Sequence, residues 1–169
     1  MELKAVEYEM VMGDLSAQAG KPGLLLLVPG RQREANVMTI GWVLFGRVWE
    51  QPMCMVMVRP SRYTYGLINE AGVFTVNRMP EGFDEAVLRC GTVSGRDVDK
   101  IAEQGWTVHK GETQPAPYLE EARLHIECGT VFTTQMTKEA LPPMADEFYL
   151  EGDYHTMYLG LVTGVFKHD

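Results

Sequence analysis

Two short stretches gather cations and hydroxyls in a chain that is otherwise acidic. In VRPSRYTYG, residues 58–66, Arg59, Ser61, Arg62 and Thr64 crowd the point where Pro60 stops a strand and a helix opens. In CGTVSGRDVDK, residues 90–100, Ser94, Gly95, Arg96 and Lys100 form a second basic, hydroxyl-bearing helix start next to Cys90 and Gly91. The first turn of a helix carries unpaired N–H groups and partial positive charge, which suits an anion and a phosphate above all. Each stretch alone also reads as an ordinary capped helix with surface arginines. Together they point to one phosphate-bearing ligand, or to a site shared between elements.

Other candidates are quieter. In EANVMTIGWVLFG, Asn36 and Thr39 interrupt an apolar strand, Gly41 bares backbone and Trp42 adds an aromatic surface, which suits a flat heteroaromatic ring. The same pattern fits a barrel strand with a bulge at Gly41. Asn77 ends the strand of GVFTVNRMP, and His155 precedes the last long strand in GDYHTMYLGLVTG. Either could be structural. No GxSxG nucleophile motif is present, and the acid pairs Glu120–Glu121 and Asp146–Glu147 read as solvated charge. The four histidines lack metal-ligand spacing.

The elements that must hold these residues are mostly strands. Segments rich in β-branched and aromatic residues predict strands at Leu24–Val28, Val37–Leu44, Met53–Val58, Val73–Asn77, Trp106–Lys110, Arg123–Met136 and Thr156–Phe166. The last two alternate between faces, with Gly129, Gly160 and Gly164 marking bends. Three short helices fit between strands. One is capped by Ser61 and closed by Gly72, one lies in EGFDEAVLRC, and one is capped by Ser94 with Asp97 three residues on. In the last, Arg96 and Lys100 would share a face. Strands with inserted helices predict a single mainly β domain over residues 1–169. It would be a Greek-key-like antiparallel barrel rather than a doubly wound sheet. Neither GxGxxG nor a P-loop motif occurs.

Composition narrows the partners. A net charge of -8 over 169 residues argues against nucleic acid. The run GLLLLVPG falls far short of the roughly 20 apolar residues of a membrane span. The acidic, mixed N-terminus is unlike a signal peptide, and Cys54, Cys90 and Cys128 form no CxxC pair. Reduced thiols in a cytoplasmic protein are expected.

Taken in order, NVMTIGW, VRPSRYTYGLI, FTVN, CGTVSGRDVDK and GDYHTMYLGLV resemble the flavin reductase-like family, over residues 10–166. These are FMN-binding split barrels that include the flavoredoxins, and the flavoredoxin-like branch fits best. The resemblance implies a homodimer with one FMN per subunit near the interface. Arg59, Ser61, Arg62 and Thr64 would hold the phosphate and ribityl chain. Asn36, Met38, Thr39, Ile40, Gly41 and Trp42 would line the isoalloxazine, with Asn77 beside it. Cys90, Gly91, Ser94, Gly95, Arg96 and Lys100 would close the pocket. Thr39, Lys100 and His155 are the implied catalytic residues, although GDYH departs from the commoner GDH. The implied donor is NADH or NADPH, and the acceptor is a small molecule or a protein. Two alternatives stay open: an FMN-carrying electron-transfer module that does not oxidise nicotinamide, and a non-enzymatic ligand-binding barrel.

Overall fold

The computed structural model describes residues 2–168. Its strands and helices run β1 (Leu3–Ala5), α1 (Met12–Gly20), β2 (Leu24–Pro29), β3 (Ala35–Ile40), β4 (Val43–Val48), β5 (Gln51–Val58), α2 (Tyr63–Ala71), β6 (Val73–Arg78), α3 (Asp84–Thr92), α4 (Lys100–Gln104), β7 (Val108–Lys110), β8 (Pro117–Leu119), β9 (Leu124–Gln135) and β10 (Thr156–His168). Short 3₁₀ turns lie at Tyr8–Met10, Lys138–Ala140 and Pro143–Phe148.

The main sheet is antiparallel, in the order β3–β2–β6–β9–β10–β5–β4, with β1 beside β10. Its two edge strands, β3 and β4, are chain neighbours joined only by Gly41 and Trp42. The sheet therefore curls until its edges meet at that link, yet they do not pair. This is the expected Greek-key-like split barrel. The single strand expected over Val37–Leu44 is instead broken at the link, because there the chain passes from one edge of the barrel to the other.

Burial explains the strand sequences. Leu24, Leu26 and Val28 of β2 point into the barrel, while Leu25 and Leu27 enter a second core under α3 and α4. A strand covered on both faces reads as an unbroken apolar run, as LLLLV does. On β9 the alternation is strict: Leu124, Ile126 and Cys128 face the barrel core, and His125 and Glu127 face outward. Gly160 sits where a Cβ would meet the Phe74 ring at 2.6 Å and Cys128 Cβ at 2.8 Å, so only glycine lets β10 cross there. The register of β9 against β10 slips at Leu159/Gly160 and at Val162/Gly164, which places bends at two of the three expected glycines but not at Gly129.

Helix starts differ from expectation. Gly72 closes α2 in the left-handed conformation, at φ 63°, but Ser61 does not cap it; the N-cap position is Arg62, with no side-chain bond. Ser94 likewise heads only a turn, accepting from the N–H groups of Asp97 and Val98 at 3.1 Å. The helix begins six residues later, at Lys100, where the Asp99 carboxylate accepts from the Ala102 N–H at 3.1 Å. Serine and aspartate cap about equally well, and here Asp99 takes the cap, which shortens the helix. Arg96 and Lys100 therefore do not share a helix face.

His125 and Glu127 are sealed under the β7–β8 hairpin in a polar layer. Glu127 accepts from the N–H groups of Glu112, Thr113 and Gln114 at 2.7, 2.6 and 2.9 Å, and from the Thr113 hydroxyl at 2.7 Å. His125 bridges Glu127 at 3.2 Å and His168 at 2.6 Å, and Tyr118 stacks flat on it at 4.0 Å. Asn77 belongs to this layer. Its amide donates to Thr75 Oγ1 at 2.7 Å, and its carbonyl accepts from the Leu119 N–H at 3.0 Å. Completely buried, it pins β8 to the sheet and takes no part in the cleft described next.

Candidate functional site

A groove opens between the edge of β3 and the end of β5 with the residues that follow it. One half, about 250 Å³, is lined by Met38, Thr39, Ile40, Gly41 and Trp42 of β3 and the link, with Met57, Arg59, Arg62 and His155 opposite. Among the described residues β3 is a sheet edge with no strand partner on its outer side, which can therefore offer backbone groups to a ligand. The other half, about 210 Å³, is lined by Ser61 to Thr64, Thr92 to Arg96, Met38 and Lys100. Met38 and Arg62 line both halves, so the two are continuous. One arm is the flatter and more apolar, although Arg59, Arg62 and His155 reach it; the other carries more hydroxyls and cations.

The cations are poorly compensated. Lys100 is 4% exposed and donates only to the carbonyls of Cys90 at 3.0 Å and Val93 at 3.4 Å. Burial pulls its pKa down to about 8, the Cys90 thiol opposing and Arg62 adding to the effect. Arg62 donates to the Gly91 carbonyl at 2.9 Å and is likewise lowered, by burial first and then by Arg59. Among the described residues neither forms a salt bridge. Buried charge is costly unless paired, so an anion entering this arm would offset that cost. Arg96 closes its rim, lying over the Tyr63 ring at 5.5 Å and donating to the Ser61 carbonyl at 3.1 Å.

Close backbone approach shapes the arm. A Cβ at Gly95 would run into the Asn36 amide oxygen, and one at Gly91 would press on Thr39 Cβ at 3.2 Å. Gly91 lets the end of α3, and Gly95 the loop after it, lie flush on β3. Asn36 donates to Thr64 Oγ1 at 2.8 Å, so it buttresses the wall from behind. Cys90 faces the second core, and its contribution is the carbonyl that holds Lys100. The Thr39 hydroxyl donates to the Val87 carbonyl of α3.

At the flat arm Trp42 meets Phe148, Tyr149 and His155, with ring centroids at 5.3, 6.3 and 4.7 Å. His155 Nδ1 pairs with the Tyr149 hydroxyl at 2.7 Å. Burial, and then Arg59, push the His155 pKa down to about 4, so its ring is neutral near pH 7. Residues 143–155 form a strap along this rim. Arg59 donates to the Phe148 carbonyl at 2.7 Å, and Ser61 donates to the Asp153 carboxylate through its N–H at 3.0 Å and its hydroxyl at 2.5 Å.

The structure thus brings β3, the two basic stretches and His155 to one groove, sets Asn36 and Cys90 behind it, and excludes Asn77. The sequence reading missed Met57, Tyr63, Thr92, Val93, Tyr149 and Asp153. Tyr63 sits inside the quoted RPSRYT and was within reach. Asp153 pairs with a residue 92 positions away and left no local mark.

Comparison with known proteins agrees with this architecture. An uncharacterized protein of Archaeoglobus fulgidus is 30% identical over 106 residues, 63% of this chain and 59% of that protein. The match therefore spans less than two thirds of that relative. The flavoredoxin of Methanosarcina acetivorans superposes with a TM-score of 0.67 at 29% identity, covering 87% of this chain and 69% of that one. An FMN-binding protein of Thermus thermophilus, solved with p-hydroxybenzaldehyde, shares the fold with a TM-score of 0.67 at 24% identity, covering 86% of this chain and 71% of that one. The model of the flavin reductase like domain matches residues 21–169, and by that match the chain belongs to the flavin reductase-like family.

Proposed function

We propose that the groove binds FMN and that the protein is an oxidoreductase passing electrons from NADH or NADPH through it to a small-molecule or protein acceptor. The observation that carries this reading is the groove's two-part chemistry. A flat arm with an open strand edge joins an arm whose cations lack carboxylate partners. FMN has that same division, a planar heteroaromatic ring at one end and a dianionic phosphate at the other. The donor set fits it.

Each residue then has a task. Arg62 and Lys100, with Ser61, Ser94 and Arg96 at the rim, hold the phosphate, and the ligand's charge offsets the cost of burying Arg62 and Lys100. Met38, Ile40 and Gly41 present backbone to the ring edge. Trp42 is 39% exposed at the mouth and offers a stacking surface for a second planar group. Neutral His155, oriented by Tyr149, borders the ring without adding charge. Lys100 and Thr39 are the residues assigned to tune electron transfer, Lys100 electrostatically and Thr39 by fixing the wall against α3. When bound, FMN supplies the redox chemistry, taking up a hydride equivalent and releasing electrons onward.

The active form is a homodimer in the cytoplasm. Phe132, Leu159, Met55 and Leu44 lie side by side at paired positions across four strands on the outer face, and Phe132 and Leu44 are 52% and 56% exposed. An apolar row of this kind suits a second copy of the chain. The next row holds Met57, which also lines the groove, so the ligand would sit close to that contact. Light scattering should give twice the chain mass, and Leu44→Glu with Phe132→Glu should give monomers.

The functional test is reconstitution. Purified protein should take up FMN with a shifted flavin spectrum, and anaerobic NADH or NADPH should then bleach it. No flavin uptake would reject the proposal. Uptake without bleaching by either nucleotide would reject the nicotinamide step alone.

A further inference from the structure

The Ser61 donors that would take up a phosphate are engaged by a carboxylate of the chain itself. Asp153 accepts from the Ser61 N–H at 3.0 Å and from its hydroxyl at 2.5 Å, one bond to each oxygen. A phosphomonoester would present the same forked edge of two anionic oxygens. The surroundings are cationic, since Arg59 donates to the Asp153 carbonyl at 3.4 Å, and the Asp153 charge reaches both Arg62 and His155. Ser61 is exposed, so one anion can replace another without opening the core. The loop is also bent to make this contact. Gly152 and Asp153 sit at φ 76° and 57°, a left-handed backbone that glycine adopts freely and aspartate more readily than most residues.

We propose that Asp153 is a specificity-determining residue, an internal anion that clamps the 143–155 strap to Ser61 and is exchanged for the phosphate of the incoming ligand. The inference rests on the FMN reading and deepens it. A flavin bearing a phosphate displaces the carboxylate and frees the strap, whereas riboflavin leaves it in place. Asp153 thus opposes the phosphorylated ligand and couples its arrival to movement at the Trp42 rim, where Phe148 and Tyr149 of the same strap pack.

Asp153→Asn isolates the charge. Asparagine keeps an acceptor oxygen for Ser61 and tolerates positive φ well among non-glycine residues. Equilibrium titrations should show FMN affinity rising on the order of tenfold in Asp153→Asn, the gap between a charged and a neutral hydrogen-bond pair, with riboflavin affinity unchanged. FMN and riboflavin affinities moving together, in either direction, would reduce Asp153 to a strap anchor and overturn the proposal. A second measurement needs no flavin. The N–H groups of Tyr149 and Gly152 are hydrogen-bonded within the strap, so inorganic phosphate added to the ligand-free wild type should speed hydrogen exchange over residues 149–155. Unchanged exchange at saturating phosphate would also overturn it. A wild type that binds no FMN yet shows faster strap exchange with phosphate would reject the FMN reading while keeping the Asp153 exchange.

Discussion

Around Glu127 a carboxylate, histidines, a tyrosine and an asparagine are packed between a sheet and a hairpin, and the polar atoms meet one another. Around Arg62 and Lys100 equally polar residues line a groove, and the cations find only carbonyls. Burial drives the Glu127 carboxyl upward, yet bonds from His125, Thr113 and the backbone N–H groups of Thr113 and Glu112 outweigh it and bring its pKa to about 2. Burial drives Lys100 the other way, and only the Cys90 thiol opposes it, so it settles at about 8. The first cluster is complete and therefore structural. In the second, neither Arg62 nor Lys100 has a carboxylate partner among the described residues.

Removing the centre of the closed cluster should do the most damage. Glu127→Ala would leave three backbone N–H groups and a histidine without their partner, and urea denaturation should show a loss of about 3–5 kcal/mol. A loss under about 1 kcal/mol would mean that the Glu127 cluster does not hold the fold together. Acid acts on the same group. Its pKa is depressed from 4.5 to about 2, so its stabilisation is complete above pH 4.5 and is lost as pH falls through 2. That amounts to on the order of 3 kcal/mol, and it should be missing from the acid profile of Glu127→Gln. His125 and His168, both held neutral chiefly by burial, add to the acid loss in the same direction.

The open cluster should behave in reverse. Arg62→Ala should shift the denaturation midpoint little but weaken FMN on the order of tenfold to a hundredfold, the value of one or two charged hydrogen bonds. A large stability loss would make Arg62 part of the frame. The smallest effect is alkaline. Lys100 loses its proton as pH rises through about 8, so FMN affinity should be level between about pH 7 and 8, where the phosphate is already a dianion, and fall by at most about tenfold per unit above that. In Lys100→Met that dependence should vanish, and riboflavin should show none of it in either protein.

How much of this could be read beforehand depended on how local the cause was. LLLLV announced a strand, and Gly72 announced the end of α2. The break of the Val37–Leu44 strand was hidden because the apolar pattern continues through Gly41. The β4–β5 turn was hidden because Trp49 and Glu50, at φ 53° and 60°, hold positions that glycine or asparagine usually signal. The basic stretches were legible as anion sites, since charge and hydroxyls gather within a few residues. Their partners were not. His125 and His168 are 43 positions apart, and Ser61 and Asp153 are 92 apart, so only the folded barrel brings each pair together. Asn77 shows the opposite error, a polar strand residue assigned to a ligand when a neighbouring hairpin needed it.

The central claim is that the groove's free cations are there for a phosphate on a flavin. Titrating the wild type with FMN and with riboflavin, side by side at pH 7, tests it most directly. One FMN per chain should bind, on the order of a hundredfold more tightly than riboflavin, with most of that margin gone in Arg62→Ala. Equal affinities for the two flavins, or no binding of either, would contradict it.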